Sequence, residues 1–325
     1  MTKTENLNTR IDRHYLSCDW GTTSFRLKLA HIEATQPVAE VSGSRGIKKM
    51  HEIWKSQRNR KNRLESYCAY LKQKISCLQQ AAGLDLEGLP VVLSGMGSSS
   101  IGLRELPYSR LPLDLNHPVL KMEILERTSG FPHEIFLISG LQSSNDVMRG
   151  EETQLLGIVY QHQLEDGFCI LPGTHSKHMT IQNSHLTQFK TYLTGELFDL
   201  LGSQSILKNS ITSPPEDAPI SETFEEGIQK SADQNLLHSL FQIRAGDLLY
   251  KTGQAANYDF LSGLLIGTEL KDLKEDSAPI LLAGEKRLQA YYSRALNFLQ
   301  LNHLSVDPDE DLTLLGHHIL MKEQD

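Results

Sequence analysis

Tyr15-Leu-Ser-Cys-Asp-Trp-Gly-Thr-Thr-Ser-Phe-Arg-Leu-Lys-Leu29 contains two short predicted strands joined by a tight turn. Apolar and polar residues alternate from Phe25 to Leu29, which is typical of a half-buried strand. The turn, Gly21-Thr-Thr-Ser24, is rich in hydroxyl groups. The chain therefore opens with a predicted β-hairpin, and Asp19 lies near the end of its first strand.

A second hairpin of the same kind is predicted near the middle of the chain. Its strands are Gly167-Phe-Cys-Ile-Leu-Pro172 and Lys177-His-Met-Thr-Ile-Gln182, and its turn is Gly173-Thr-His-Ser176. Both turns have the pattern G-T-x-S, and their offset of 152 residues (173 − 21) is close to half of the 325-residue chain. An equivalent turn in each half indicates a duplicated domain. Two unrelated tight hairpins would show the same three matching positions.

The composition narrows the classes of function. With 32 Lys+Arg against 40 Asp+Glu, the formal charge is −8 and the pI is about 5.9, which argues against nucleic acid or an anionic membrane as the main partner. No apolar run approaches the roughly 20 residues of a membrane helix. The four cysteines (Cys18, Cys68, Cys77 and Cys169) lack C-x-x-C spacing, so we expect free thiols in a reducing cytoplasm.

The remaining segments indicate an α/β protein. Apolar residues at helical spacing predict a helix from about Leu64 to Leu78 that stops near Gly83. Strands are predicted at 90–94, 134–139 and 278–284, and Asp146 is predicted to cap a helix that runs to about Tyr160. The predicted helices of the second half are 194–208, 222–230, 234–250, 256–272, 286–300 and 309–322. With a boundary near 161–167, the expected domains are 1–163 and 164–325.

The two hydroxyl-rich turns suit a phosphate clamp. Glycine lets a backbone approach phosphate closely, while amide N–H groups and Thr or Ser hydroxyls supply donors. Lys177, just after the second turn, would neutralise charge on a transferring phosphoryl group, and Asp19 would hold Mg²⁺ directly or through water. Phosphoryl transfer depends mainly on positioning and charge stabilisation, so these are the residue types it needs. Neither turn is a Walker A loop.

An acid cluster with an arginine lies in Asn145-Asp-Val-Met-Arg-Gly-Glu-Glu-Thr-Gln154. A kinase that acts on an alcohol needs a carboxylate to accept the hydroxyl proton. It needs an arginine if the substrate itself carries a carboxylate. The pattern alone equally describes a helix start, where acids complement the helix dipole, and on pattern alone this simpler interpretation is favoured.

Gly263 and Gly267 lie four residues apart on a predicted helix and form a smooth strip. The strip indicates either close helix packing or room for a nucleotide base, with Gly284 after the next strand as the opposite wall. Spacing alone leaves both interpretations open.

These motifs as a set resemble the 2-dehydro-3-deoxygalactonokinase family, sugar-acid kinases of the acetate kinase/sugar kinase/Hsp70/actin superfamily. The long Met148-Arg-Gly-Glu-Glu-Thr-Gln154 and Pro172-Gly-Thr-His-Ser-Lys177 motifs are the most specific. The matching segments are 19–23, 94–96 with 107–108, 147–155, 171–177, 193–197 and 261–267, in family order over roughly residues 14–320.

The resemblance implies an α/β fold of two duplicated RNase H-like (actin-like ATPase) domains around a nucleotide cleft, with the sugar-acid site in the first domain and the adenosine site in the second. It implies transfer of the γ-phosphoryl group of ATP, with Mg²⁺, to the 6-hydroxyl of 2-dehydro-3-deoxy-D-galactonate in galactonate catabolism. It also favours the duplication over two unrelated hairpins.

The resemblance assigns roles to residues of this chain. Asp19 organises Mg²⁺, Asp146 or Glu151 is the base, Arg149 holds the substrate carboxylate or supports the acid cluster, and Lys177 acts on the transferring group. The phosphate loops comprise Gly21, Thr22, Thr23, Gly173, Thr174, His175 and Ser176. The adenosine side comprises Gly263, Gly267 and Gly284. The substrate side comprises Ser94, Gly95, Met96, Arg149 and Glu152.

Two positions depart from the family pattern. The loop after Met96 ends in Leu103 where the family usually has tryptophan, and His178 replaces another tryptophan after the Ser-Lys pair. Both lie near predicted binding loops, so a kinase of the gluconate epimer remains an alternative, as does a non-catalytic nucleotide-binding sensor on the same fold. The expected partner is a small sugar acid, with no nucleic acid and no membrane, and a homo-oligomer is compatible with the sequence.

Overall fold

The computed structural model describes residues 13–57, 62–273 and 279–322. It divides into two compact units. The first takes the described residues up to Leu164 together with those from Asp311 onward, and the second is Glu165–Glu310. In the part of the chain that is described, no helix is both long and apolar enough to cross a membrane.

The first unit is built on one main sheet with helices packed against it. Its strands are β1 (His14–Trp20), β2 (Phe25–His31), β3 (Ala39–Gly43), β4 (Val91–Gly95), β5 (Ser109–Arg110), β6 (Leu113–Asp114), β7 (Met122–Leu125), β8 (Ile135–Ile138), β9 (Leu141–Gln142) and β10 (Val147–Met148). Its helices are α1 (Ile47–Ser56), α2 (Arg63–Ala82), α3 (Glu151–His162) and, from the C-terminal segment, α9 (Leu312–Lys322).

The main sheet of the first unit has the order β3-β2-β1-β4-β8-β7. β1, β2 and β3 form an antiparallel meander, whereas β4 pairs in parallel with β1 and β8 pairs in parallel with β4. The core side carries fully buried Leu16, Trp20, Phe25 and Leu27, and Tyr67 of α2 packs on the Trp20 ring. This meander leaves Asp19 next to Ser94 at the end of two parallel strands.

The second unit repeats this plan. Its strands are β11 (Gly167–Leu171), β12 (Ser176–Gln182), β13 (His185–Tyr192), β14 (Ile280–Leu282) and β15 (His303–Ser305). Its helices are α4 (Thr194–Gln204), α5 (Thr223–Asp233), α6 (Leu236–Tyr250), α7 (Gln254–Leu270) and α8 (Lys286–Phe298). A short 3₁₀ turn, Ile206–Asn209, follows α4.

The strands of the second unit lie in the order β15-β14-β11-β12-β13. As in the first unit, the three strands that come first along the chain, β11, β12 and β13, form an antiparallel meander. β14 then pairs in parallel with β11, and β15 pairs in parallel with β14. The 21–24 and 173–176 turns therefore each join the first two strands of an equivalent sheet. The predicted duplication of an RNase H-like domain is confirmed.

The helix predicted to begin at Asp146 begins later. Asp146 lies in a turn in which Ser143 N donates to its carbonyl oxygen, and the short strand β10 comes before α3. Gly150, with a φ of 108°, makes the bend that separates this strand from the helix, which starts at Glu151. The acid cluster at 151–152, and not Asp146, therefore occupies the helix start.

The last helix, α9, was expected in the second domain, 164–325. In the structure it belongs to the first unit and not with residues 165–310. Two glycines allow its backbone to approach α3 closely. A Cβ atom at Gly316 would lie 2.0 Å from the carbonyl oxygen of Thr153, and one at Gly157 would lie 2.3 Å from that of Leu312. Asp311, just before α9, forms an ion pair with Lys28 of β2. The strands that the sequence did not predict are β3, β5, β6, β7, β9, β10, β13 and β15. Ala278, the first residue of a predicted strand, lies outside the described residues.

Candidate active site

Asp19 lies at the end of β1 among charged neighbours. Its Oδ2 atom is 3.8 Å from Nη1 of Arg26, its cross-strand partner. Burial raises the pKa of Asp19, the Arg26 and Lys28 charges lower it, and the Asp311 and Glu151 charges raise it further. A cation bound here would be stabilised by the Asp19 carboxylate, and the more remote negative charge of Glu151 would add to this effect.

The predicted substrate segment 94–96 lies against the same strand end. Gly95 has a φ of 85°, and a Cβ atom there would lie 2.9 Å from the carbonyl oxygen of Trp20 and 3.4 Å from Oδ1 of Asp19. A Cβ atom at Gly150 would lie 3.3 Å from Cα of Gly95. The structure therefore brings Asp19, the 94–96 segment and the start of α3 together. Among the described residues, the buried Oγ atom of Ser94 has no hydrogen-bond partner.

The acidic residues at the start of α3 lie in different environments. Glu152 is fully buried, and both of its carboxylate oxygens accept from Gly150 N, at 2.9 and 2.8 Å. Burial raises the pKa of Glu152 to about 7. A contact between Glu152 and the substrate, as predicted, does not fit this placement. The buried carboxylate instead binds the backbone N–H of Gly150 and stabilises the bend before α3. Glu151 is half-buried and accepts from Arg149 N at 3.0 Å.

The guanidinium group of Arg149 is bound within the protein. Its Nη1 atom donates to the carbonyl oxygen of Ser98 at 2.5 Å and to Ser98 Oγ at 2.6 Å. The guanidinium group also stacks over the Tyr108 ring, 4.2 Å from the ring centroid. Arg149 therefore supports the loop that begins after Met96, which is neither of the two roles predicted for its side chain.

The first turn, 21–24, is held from one side by the start of α1. Gly46 N donates to Thr23 O at 3.2 Å, Ile47 N to Gly21 O at 2.9 Å and Lys48 N to Thr22 O at 3.1 Å. Because these bonds occupy the turn's carbonyl groups, its backbone is fixed while the side chains of Thr22 and Thr23 stay exposed. Exposed hydroxyls on a fixed turn suit the binding of an anion.

The second turn, 173–176, combines exposed and buried residues. Thr174 and His175 are exposed, whereas Ser176 and Lys177 are buried. Nζ of Lys177 donates to the carbonyl oxygen of His175 at 2.7 Å, so this ammonium group braces the turn. A Cβ atom at Gly173 would meet no heavy atom within 4 Å, which leaves open space above the turn.

The start of α4 packs directly against this turn. A Cβ atom at Gly195 would lie 2.5 Å from the carbonyl oxygen of Gly173, so only glycine allows this approach. Glu196 N donates to Thr174 O at 2.9 Å, and the Glu196 carboxylate lies 2.6 Å from His175 Nε2.

Glu269 of α7 links the turn to three elements and was not predicted. Its carboxylate accepts from Ser176 Oγ and His178 Nε2, both at 2.7 Å, from Tyr292 at 2.6 Å, and from Thr194. Burial raises its pKa, but the hydrogen bonds from His178, Thr194 and Tyr292 outweigh burial, and the pKa is below its usual value. The one signal in the sequence was a single acid inside the largely apolar Leu261–Leu270 segment.

A cavity of about 530 Å³ opens beside the second turn within the second unit. It is large enough for a nucleoside. Its lining includes Pro172, Gly173, Thr174, Thr194, Glu285 and Tyr292.

The predicted adenosine-side glycines do not all face this cavity. A Cβ atom at Gly263 would lie 1.9 Å from the carbonyl oxygen of Phe224, and one at Gly267 would lie 2.4 Å from Ser231 Oγ. Both glycines therefore face α5, which corresponds to the helix-packing interpretation. Gly284, with a φ of 150°, lies near Pro172 at the cavity edge, next to the lining residue Glu285.

No cluster of three or more His, Cys, Asp or Glu side chains suited to a metal occurs within residues 13–57, 62–273 and 279–322. Mg²⁺ usually keeps several waters and uses one or two carboxylates together with substrate phosphates. Asp19 supplies such a carboxylate, and the unpartnered hydroxyl of neighbouring Ser94 is suited to a hydrogen bond with a metal-bound water.

Comparisons with known proteins identify relatives over nearly the whole chain. A family model described as 2-keto-3-deoxy-galactonokinase matches residues 19–318. A Rhizobium meliloti (strain 1021) protein named probable 2-dehydro-3-deoxygalactonokinase DgoK1 is 30% identical over 91% of this chain and 93% of its own length. The 2-dehydro-3-deoxygalactonokinase of Escherichia coli (strain K12) is 28% identical with the same coverage.

The fold has a solved counterpart. The crystal structure of a Sinorhizobium meliloti protein that is named as a 2-dehydro-3-deoxygalactonokinase superposes on this chain with a TM-score of 0.80 at 27% sequence identity. The match covers 95% of this chain and 96% of that one. The family model, the relatives and this structure agree over nearly the whole length. The chain therefore belongs to the 2-keto-3-deoxy-galactonokinase family.

Proposed function

We propose that the protein transfers the γ-phosphoryl group of ATP to the 6-hydroxyl of 2-dehydro-3-deoxy-D-galactonate. The observation that carries this proposal is the pair of equivalent turns, 21–24 and 173–176, in a chain of this kinase family. The first turn begins two residues after Asp19, and the second turn lies next to a nucleoside-sized cavity. A cytoplasmic location fits the four free thiols.

Mg²⁺ is the metal that these residues suit. When bound to the nucleotide, it neutralises charge on the phosphates and fixes their geometry. Asp19 would hold it, and Ser94 would orient a water molecule of its shell. Burial raises the pKa of Asp19 although the charges of Arg26 and Lys28 oppose this shift, and a bound cation would favour the ionised carboxylate.

Glu151 is the base in this proposal. It is the first residue of α3 and follows Gly150, which packs against Gly95 beside the Asp19 carboxylate. Oδ1 of Asp146, by contrast, accepts from Val147 N at 2.7 Å, within a turn that precedes the short strand β10. Glu151 accepts the proton of the sugar hydroxyl, the hydroxyl oxygen forms a bond to the γ-phosphorus, and the bond to the β-γ bridging oxygen breaks to release ADP.

The second unit binds the nucleotide. The adenosine moiety occupies the 530 Å³ cavity, and the phosphates extend over the 173–176 turn, where Gly173 leaves space. Thr174 supplies an exposed hydroxyl, while Lys177 and Ser176 act from inside the turn by fixing its backbone and its link to Glu269.

The test is ADP release from ATP and Mg²⁺ with 2-dehydro-3-deoxy-D-galactonate, with its gluconate epimer, and without an acceptor. We expect turnover with the galactonate compound, and ³¹P NMR should place the phosphate on its 6-hydroxyl. Turnover with the epimer alone would overturn the substrate. ATP binding without any acceptor-dependent turnover would overturn the kinase activity.

The choice of base has its own test. Glu151→Gln should lower kcat by about 100-fold or more, the typical contribution of a general base, with ATP affinity preserved. Asp146→Asn is the matched control and should keep kcat within about threefold. The reverse result would make Asp146 the base.

A further inference from the structure

A second cavity, of about 370 Å³, lies within the first unit on the α1 side of the 21–24 turn. Arg45, Lys48, Lys49 and Glu52 line it together with hydroxyl-bearing residues of the turn, so it holds a surplus of two positive charges in a protein whose net charge is −8. The cavity excludes Asp19 and Glu151. It is therefore a cationic site beside, and separate from, the acidic centre.

The positive charges of this cavity are not equally available. Nζ of Lys49 lies 3.3 Å from Oε2 of Glu52, so this pair is internally balanced. Among the described residues, no carboxylate lies within ion-pair distance of Arg45 or Lys48. These two residues supply the charge surplus.

Arg45 is also held in place. Its carbonyl oxygen accepts from Trp20 Nε1 at 3.0 Å, and its guanidinium carbon lies 5.6 Å from the centroid of the Tyr70 ring. Lys48 is fixed at the backbone, where its N–H donates to Thr22 O. An arginine that is already ordered loses less entropy when it binds a planar anion.

The proposed substrate needs a cation away from the acids. Its carboxylate lies at the opposite end of the carbon chain from the hydroxyl that is phosphorylated, so it cannot share the site of Asp19 and Glu151. Arg149, the arginine predicted for this role, is already bound to Ser98 and stacked on Tyr108.

We propose that Arg45 and Lys48 form an oxyanion subsite that binds the carboxylate of the sugar acid. This inference rests on the proposed function and deepens it. Arg45 pairs with the planar carboxylate through its fork of N–H donors, and Lys48 adds a point charge. The terminal phosphoryl group of ATP is the other anionic group of the reaction that could bind to Arg45 and Lys48. The test distinguishes it from the carboxylate of the sugar acid.

The test compares Arg45→Gln and Lys48→Gln with Lys49→Gln, which removes the same charge from the same cavity but from a residue already paired. KM for the sugar acid should rise at least about tenfold in the first two variants, as expected for a lost charge-assisted hydrogen bond. KM for ATP and kcat should stay within about twofold, and Lys49→Gln should resemble wild type. A rise in KM for ATP alone would assign the cavity to the phosphoryl group and overturn the carboxylate assignment.

Calorimetric binding without ATP separates this inference from the kinase activity. Wild type should bind 2-dehydro-3-deoxy-D-galactonate more tightly than the corresponding neutral sugar that lacks the carboxyl group, and Arg45→Gln should lose this preference. If all three variants keep it, the subsite is wrong even when the kinase activity is correct. If wild type shows the Arg45-dependent preference without turnover, the subsite stands and the kinase activity fails. If wild type does not bind the acid, both are overturned.

Discussion

Oγ of Ser176 donates a hydrogen bond of 2.7 Å to the carboxylate of Glu269, 93 residues further along the chain. The same carboxylate accepts from His178, Thr194 and Tyr292, and the last two line the 530 Å³ cavity. A single buried acid therefore connects the second turn to the wall of the predicted adenosine site.

Glu269→Gln should weaken ATP binding through this connection. The amide has one acceptor oxygen, and its NH₂ group would face hydroxyl donors, so the turn loses its anchor. We expect Kd for ATP to rise about tenfold, equivalent to about 1.4 kcal/mol, while Kd for adenosine, which contacts only the cavity, changes less than twofold. Fluorescence titration with both ligands measures this difference.

An equal loss of adenosine and ATP affinity would indicate general damage to the unit and contradict this role. Tyr292→Phe removes one donor and keeps the ring, so it should give a smaller effect in the same direction. It remains informative if Glu269→Gln does not fold.

We expect Glu152 to make the free energy of unfolding depend on pH. Its pKa is raised to about 7, mainly by burial, from an ordinary value of 4.5. Between these values the folded protein binds more protons than the unfolded chain, so this group makes the free energy of unfolding fall as pH rises. Glu152→Gln keeps the size and an acceptor for Gly150 N but does not titrate. Its free energy of unfolding should exceed that of wild type by up to about 3 kcal/mol near pH 8.

Urea unfolding at about pH 4 and about pH 8 tests this prediction, because contributions from other groups cancel in the comparison of the two proteins. The difference should shrink towards zero at the lower pH. A constant difference across the range would mean that Glu152 binds protons equally in the folded and unfolded states, so that its pKa is not raised.

Two glycine variants should separate packing from binding. Gly263→Ala places a methyl group against the carbonyl oxygen of Phe224 and should lower the free energy of unfolding by at least about 2 kcal/mol. Gly173→Ala meets no protein atom and should leave stability within about 0.5 kcal/mol, yet it should weaken ATP binding because its methyl group enters the space above the turn. Thermal unfolding and ATP titration give both values, and wild-type ATP affinity in a folded Gly173→Ala variant would contradict the phosphate role of this turn.

Lys177→Met should lower kcat while keeping most of the buried side-chain volume. The ammonium group that braces the His175 carbonyl is lost, so the turn no longer presents a fixed backbone, and a fall of about 100-fold is typical for one such electrostatic contact. Lys190→Met is the control, because Lys190 is exposed and lies 3.4 Å from Asp272 at the surface. Equal kcat values for the two variants would remove Lys177 from the mechanism.

Much of the fold could be predicted because its signals are local. The 21–24 and 173–176 turns lie between alternating strands, and Gly83 ends α2 in a left-handed conformation. Strands β13 and β15 were missed: β15 is only three residues long, and β13 is largely polar, so their places depend on pairing with distant strands. The last helix was assigned to the wrong unit, because its contact with α3 depends on Gly157 and Gly316.

The sequence by itself determined the family, the two equivalent hairpins and the types of residue that phosphoryl transfer needs. These features lie in short contiguous motifs, so they can be recognised without knowing which distant residues come together. Only the tertiary structure decided which side chains are available. It buried Glu152 and left Glu151 half-buried, tied Arg149 to Ser98, turned Gly263 towards α5 and brought Glu269 under the second turn. Burial and hydrogen bonding are properties of neighbours that are distant in sequence, so no local pattern specifies them.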